Sequence, residues 1–212
     1  MGKIDRTVAV VCSKCNNEWM SDITDAFATR LREQVIDNRP ASLSPEQLGV
    51  LVLFGFMKAV VVDHMSVGRT GSFFTPRQRT AFMRDGTIPA DAQFWLATSY
   101  GKARGSGSVK SRYAQLNSSA ATGLELFICS YSVGFVGIQI IGKRWIKKSM
   151  RRREKPRLRQ ADVWDKSSYE IKMPIMAAAT WPLPQVLNEQ AFDLFADRWK
   201  HIDGPRRRRK KL

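Results

Sequence analysis

Three cysteines and two histidines are all that the 212 residues supply, and this shortage bounds the chemistry. Three cysteines cannot build the disulfide framework of a small secreted domain, and their number is odd, so a reduced cytoplasmic compartment suits them best. One Cys-x-x-Cys, at Cys12 and Cys15, has no second copy. Gly101, Gly105 and Gly107 lack the order of a dinucleotide or phosphate-binding loop. Long apolar runs are missing too. The best membrane candidate, residues 48–62, is interrupted by Lys58 and falls short of the roughly 18 to 20 residues that a span needs; it reads as a buried helix. Residues 7–11 are too short for the apolar part of a signal peptide, and no small-residue cleavage site follows them. No repeat or heptad run is visible.

Acidic residues are scarce as well, 19 against 35 Lys and Arg, for a net charge of +16. The imbalance is local. Residues 143–159 hold ten basic side chains and one acidic, and residues 206–211 are six basic side chains in a row, so the two runs carry fifteen of the sixteen net charges. A polyanion is the default partner, because clustered cations gain from counterion release and long-range attraction to phosphates. Nucleic acid leads, with DNA ahead of RNA; an acidic membrane or protein surface and a pair of merely solubilising tails are the alternatives. The candidate phosphate contacts are Lys143, Arg144, Lys147, Lys148, Arg151, Arg152, Arg153, Arg157 and Arg159, extended by Arg206, Arg207, Arg208, Arg209, Lys210 and Lys211. On a helix, Arg144, Lys147, Lys148 and Arg151 would share one face, which suits a phosphate track and equally a solvated surface helix. Trp145 and Trp164 are candidates for base stacking or for burial.

What is abundant argues for a folded chain. The hydrophobic share is 43%, with six Trp and eleven Phe, enough for one sizeable core or two small ones. Residues 8–11 read as a short strand leading into the cysteine turn. Ile23, Phe27, Leu31 and Val35 then recur every four residues on one face of a helix, with Ser21 or Asp22 as its cap and Asn38-Arg39-Pro40 as its end. Ser44-Pro45-Glu46-Gln47 is a capping box with proline at the first helical position; it opens a central apolar helix to about Asp63. Thr75-Pro76-Arg77-Gln78 repeats that grammar for a shorter helix, which Asp85-Gly86 stops. Residues 94–98 read as a strand, residues 101–107 as a flexible connection, and residues 124–131 and 135–141 as an antiparallel hairpin about 132–134. A strand over 169–173 and a helix over 187–199, burying Leu187, Phe192, Phe195 and Trp199, complete an α+β architecture: N-terminal cysteine turn and helices, a small antiparallel sheet and a closing helix. Cys129 falls within an apolar strand and reads as a small core residue.

Two thiolates on a tight turn are half of a tetrahedral zinc site, which leaves metal binding, a reduced structural pair and redox chemistry all open for Cys12 and Cys15. The run Val10-Val11-Cys12-Ser13-Lys14-Cys15-Asn16-Asn17-Glu18-Trp19-Met20-Ser21 resembles the V-C-x-x-C-N-N-G-W-M-S run of bacterial and phage proteins described as HNH endonuclease-like, in which a helix follows. The likeness continues through Leu43-Ser44-Pro45-Glu46, Lys58-Ala59, Pro89, Trp95-Leu96 and Trp181-Pro182, covering most of the chain, although only the first motif is specific. The resemblance implies that Cys12 and Cys15 are the second thiolate pair of a ββα-metal site, with Asn16 the asparagine after it. In that family an earlier Cys pair supplies the other ligands and an acidic-His motif supplies the catalytic histidine. Neither occurs before Cys12 here, and Glu18 stands where the family has glycine, removing a backbone conformation that glycine supplies readily.

The expected organisation is therefore a partial ββα-metal-like segment over 1–42, a helical and antiparallel-sheet core over 43–142, a basic segment over 143–167, a C-terminal strand and helix over 168–204 and a basic tail over 205–212. Phosphodiester hydrolysis at such a site needs a general base and a divalent ion. Asp63-His64 is the one acidic-His pair on offer, but it follows the cysteine turn and reads as a helix end; His201 adjoins the tail. The leading expectation is a nucleic-acid-binding protein related to an HNH-like nuclease without its catalytic half. A metal-dependent DNA endonuclease completed by an upstream segment, by a partner or by self-association through the cysteine site is the first alternative. A phage-encoded modulator that docks on an acidic host protein is the second.

Overall fold

The computed structural model describes residues 11–65, 72–99, 109–119, 122–145, 169–183 and 186–197. The cysteine segment is itself helical: α1, Ser13–Asn17, is a single turn, and α2, Trp19–Asp37, follows at once. α2 thus begins before the expected Ser21 or Asp22 cap. Its N-cap is Glu18, with no side-chain capping bond, and Asp22 sits in the first turn, where a carboxylate complements the helix dipole. Glu18 has φ −108°, so the position does not demand the left-handed backbone of glycine. At the other end Asn38 is left-handed, φ 51°, and the Arg39 amide donates to the Glu33 carbonyl at 3.1 Å, a helix stop of the expected kind. The strand expected over 8–11 lies outside the described residues apart from Val11.

Both capping boxes form. Ser44 Oγ accepts from the Gln47 amide at 3.2 Å while Gln47 Oε1 accepts from the Ser44 amide at 3.0 Å, opening α3, Pro45–Met65. Thr75 and Gln78 do the same for α4, Pro76–Asp85, which Gly86 ends at φ 71°. β1, Ala41–Leu43, lies between α2 and α3 and pairs with β7, Ala179–Trp181.

The main sheet has six strands. β2 is Gln93–Ser99, β3 Val109–Ser119, β4 Thr122–Val133, β5 Val136–Trp145, β6 Tyr169–Ile171 and β8 Val186–Leu187. Their order is β3-β4-β5-β2-β6, all antiparallel, with β8 parallel to β2. The expected hairpin is β4–β5, turning at Gly134 and Phe135; β3 is an additional strand.

Strand residues are apolar on both faces because both faces are covered. Phe94, Leu96, Phe127, Cys129, Tyr131, Ile138 and Ile140 meet α3, whereas Trp95, Ala97, Leu126, Ile128 and Ile141 meet Phe192 and Phe195 of the closing helix α5, Glu189–Asp197. α3 is apolar nearly all round for the same reason. The sheet lies on one side of it, and α2 packs on another, with Phe27 stacked on Phe54 at 4.0 Å. Gly55 permits the close approach, since a Cβ there would stand 3.2 Å from the Tyr131 hydroxyl. By length and composition α3 passes for a membrane span, but half of its apolar window is buried inside this fold.

Two details lock the layers. Gly134 has φ 54°, and a Cβ there would stand 2.0 Å from the Val35 carbonyl oxygen, which accepts from the Phe135 amide at 2.7 Å; only glycine lets the hairpin dock on the end of α2. On the other face Gln139, fully buried, donates to Ser130 Oγ at 2.8 Å and to the Phe195 carbonyl at 3.0 Å, satisfying an end-of-helix acceptor of α5. Leu187 belongs to β8 rather than to α5. Asn188 caps the helix instead, its Oδ1 accepting from the Ala191 amide at 2.8 Å.

Candidate functional site

Cys12 and Cys15 open onto a cleft of about 370 Å³ between the start of α2, the end of α3 and α4. The fold brings these elements together through a polar knot at the end of α3. Asp63 is fully buried there, and its carboxyl accepts from Ser72 Oγ at 2.5 Å, the Phe73 amide at 2.8 Å and the Phe74 amide at 3.0 Å. Arg79 of α4 donates to the same segment, reaching Ser72 Oγ at 2.7 Å and the Phe74 carbonyl at 2.6 Å. α4 is thereby held against α3, with Phe82 edge-on to Phe56 at 4.8 Å and to Trp19 at 5.7 Å. Trp19, Val60, Val61 and Met83 make the cleft walls apolar, and His64 and Arg79 add polar groups.

The two thiols differ. Cys12 is exposed at the N-cap of α1, and its Sγ accepts from the Cys15 amide at 3.3 Å. That bond holds the Cys12 thiol below its ordinary value, while the Cys12 side chain beside it pushes the half-buried Cys15 thiol up. Cys129 is a core residue, as expected: desolvation, with the Asp63 charge adding to it, pushes its thiol up to about 12.

His64 joins Cys12 and Cys15 on the cleft wall, a proximity that their separation in sequence did not announce. Its neighbour Asp63 points instead into the core, bound to residues 72–74, so the two side chains of the pair face different surroundings near the end of α3. Among the described residues no group of three or more His, Cys, Asp and Glu side chains could hold a metal ion. Cys12 and Cys15, on one turn, fit half of a tetrahedral zinc site.

Of the basic candidates, Lys143 and Arg144 are described, and both lie in β5 rather than on a helix. The shared helical face proposed for Arg144, Lys147, Lys148 and Arg151 therefore does not include Arg144. Its Nε donates to Glu125 Oε2 at 2.6 Å, Nη1 donates to the Phe73 carbonyl at 2.8 Å, and its guanidinium lies 4.9 Å from the Phe73 ring centre. Cross-strand pairing of residues 125 and 144 produces this arrangement. Lys143 is half-buried, and burial lowers its ammonium pKa. Lys147, Lys148, Arg151, Arg152, Arg153, Arg157, Arg159 and the run Arg206, Arg207, Arg208, Arg209, Lys210 and Lys211 lie outside the described residues, as do Trp164, Trp199, His201 and the connection 101–107.

Sequence reading did not find Arg79 or the cleft. Arg79 is four positions, about one turn, from the Thr75 cap, but nothing in one dimension says that α4 folds back over the cysteines. Compared with family models, with curated proteins and with solved structures, the chain matches none.

Proposed function

We propose that the protein binds nucleic acid, without sequence preference, through the phosphate backbone. The observation that carries this reading is the segregation of charge: fifteen of sixteen net positive charges sit in two short runs, while the remainder of the chain is nearly neutral. Such clustering serves a linear polyanion, whose condensed counterions are released on binding. In this reading Arg144, engaged with Glu125 and the Phe73 carbonyl, anchors the root of the first run to the sheet rather than contacting phosphate. Lys147, Lys148 and Arg151, with the arginines after them, supply the contacts.

The test is a titration of labelled duplex DNA and of RNA at two salt concentrations. Affinity for either should fall by about 10³ or more between roughly 50 and 200 mM salt if six or more phosphates are contacted. A folded protein that ignores both nucleic acids at low salt overturns the reading, and capture of an acidic protein under the same conditions transfers the charge argument to that partner.

The adjacent thiols of Cys12 and Cys15 favour a second reading, the metal-dependent endonuclease implied by the HNH-like resemblance. Here the chain would hold zinc through these two thiolates, and the remaining ligands and the general base would come from outside the described residues. Stoichiometric zinc together with magnesium-dependent cleavage supports it; purified protein with neither rejects it.

A further inference from the structure

We propose that Cys12 and Cys15 form a reversible dithiol–disulfide couple that exchanges with low-molecular-weight disulfides entering the cleft beside them. Both cysteines are free, both line the cleft, and the Cys15 amide lies 3.3 Å from Cys12 Sγ. A disulfide requires its Cβ atoms about 3.5 to 4.5 Å apart, nearer than successive turns of a helix bring them. Cys12 can approach that range from a favourable place, its sulfur already 3.3 Å from the Cys15 amide nitrogen. It is the N-cap, in an extended conformation with φ −69° and ψ 153°, so its side chain can swing toward Cys15 without unwinding residues inside α1. The cleft, about 370 Å³ with largely apolar walls, offers a bed for a small disulfide beside the exposed Cys12. Cys129, enclosed by the core, takes no part.

The exchange balances in two steps. The exposed Cys12 thiolate attacks one sulfur of a disulfide RSSR, forming the mixed disulfide Cys12–S–S–R and releasing RS⁻, which takes up the proton given up by Cys12. The Cys15 thiolate then attacks Cys12 Sγ, closing the Cys12–Cys15 bond and releasing the second RS⁻, which takes up the proton from Cys15. Two electrons pass from the protein to the small disulfide, which is reduced to two RSH. A dithiol of the same class reverses both steps.

The experiment equilibrates the full 212-residue chain in reduced and oxidised glutathione at a series of ratios, quenches with acid, alkylates, and weighs the peptide containing residues 12–15. Cys12 and Cys15 are expected to lose their two hydrogens together along one two-electron transition, with Cys129 unreactive in the folded protein. Cys15→Ser should trap glutathione on Cys12 at least about fivefold faster than Cys12→Ser traps it on Cys15, as access by the attacking thiol dictates. If either variant fails to fold, the wild-type titration decides alone. Both thiols remaining separately alkylatable at every ratio overturns the proposal, as does a bound zinc ion that keeps both unreactive in the protein as purified. Neither result depends on whether nucleic acid binds.

Discussion

Deleting residues 206–211 is expected to shallow the salt dependence of nucleic-acid affinity substantially, since six of the proposed phosphate contacts go with them. Each phosphate neutralised on duplex DNA contributes about −0.9 to the slope of log affinity against log salt. Removing six contacts reduces the steepness by up to about 5, and reduces low-salt affinity by orders of magnitude. Six adjacent cations suit this role because they concentrate positive charge on a short stretch of chain, where several phosphates of one polyanion can be neutralised together. The first run should retain weaker binding, so the variant is expected to bind with a shallower slope rather than to lose binding altogether. Anisotropy titrations of wild type and deletion variant on the same labelled duplex, at four or so salt concentrations, measure it directly. An unchanged slope with unchanged affinity would remove the tail from the interface and leave residues 143–159 to account for all binding. Circular dichroism of the variant should match that of the wild type.

The parts of the fold that sequence announces are those written in local grammar. Ser44-Pro45-Glu46-Gln47 and Thr75-Pro76-Arg77-Gln78 specify their helix starts because the reciprocal bonds involve residues three apart, and both form. The hairpin of β4 and β5 is legible from its β-branched and aromatic content and from Gly134. β3 is less so: between Val109 and Ser119 small and polar residues interrupt the apolar ones, and its place comes from pairing with β4, a long-range fact. Leu187 reads from sequence as part of α5 because it continues an apolar face, yet Asn188 is the better helix start, since its side chain can accept an amide hydrogen bond. The first cysteine turn is helical for a related reason. Cys12 acts as its cap through sulfur, a role that the usual capping residues do not signal.

The candidate site was legible to different depths. Cys12 and Cys15 stand out in one dimension, and their asymmetry follows from a bond only three residues long. The basic runs stand out too, but the fate of Arg144 did not, because Glu125 and Phe73 reach it from 19 and 71 positions away. The cleft itself depends on α4 turning back over α3, which is decided by a buried carboxyl that composition cannot place.

That carboxyl gives Asp63→Ala a large expected cost to the fold, about 2–6 kcal/mol of unfolding free energy for two buried amides left unsatisfied. The side chain accepts from two buried backbone amides, of Phe73 and Phe74, and from Ser72 Oγ. Alanine leaves both amides without that acceptor, and each buried unsatisfied group costs about 1–3 kcal/mol. It also frees Ser72 from one of the bonds that hold it beneath Arg79, so α4 loses its register on α3. Asp63→Asn retains an acceptor oxygen but turns an amide N–H₂ toward donors, and should fall between wild type and alanine. Urea denaturation with an unchanged m-value would report the loss as a lower midpoint. The same slackening is expected at the cleft: because α4 carries Arg79 and Met83 on one wall and Cys15 lies on another, Asp63→Ala should speed alkylation of the half-buried Cys15 while leaving exposed Cys12 nearly as reactive as before. A loss of less than about 1 kcal/mol, within the range of ordinary surface substitutions and single hydrogen bonds, with Cys15 no more reactive, would mean that the 72–75 segment finds other acceptors and that α4 is held by its phenylalanines alone.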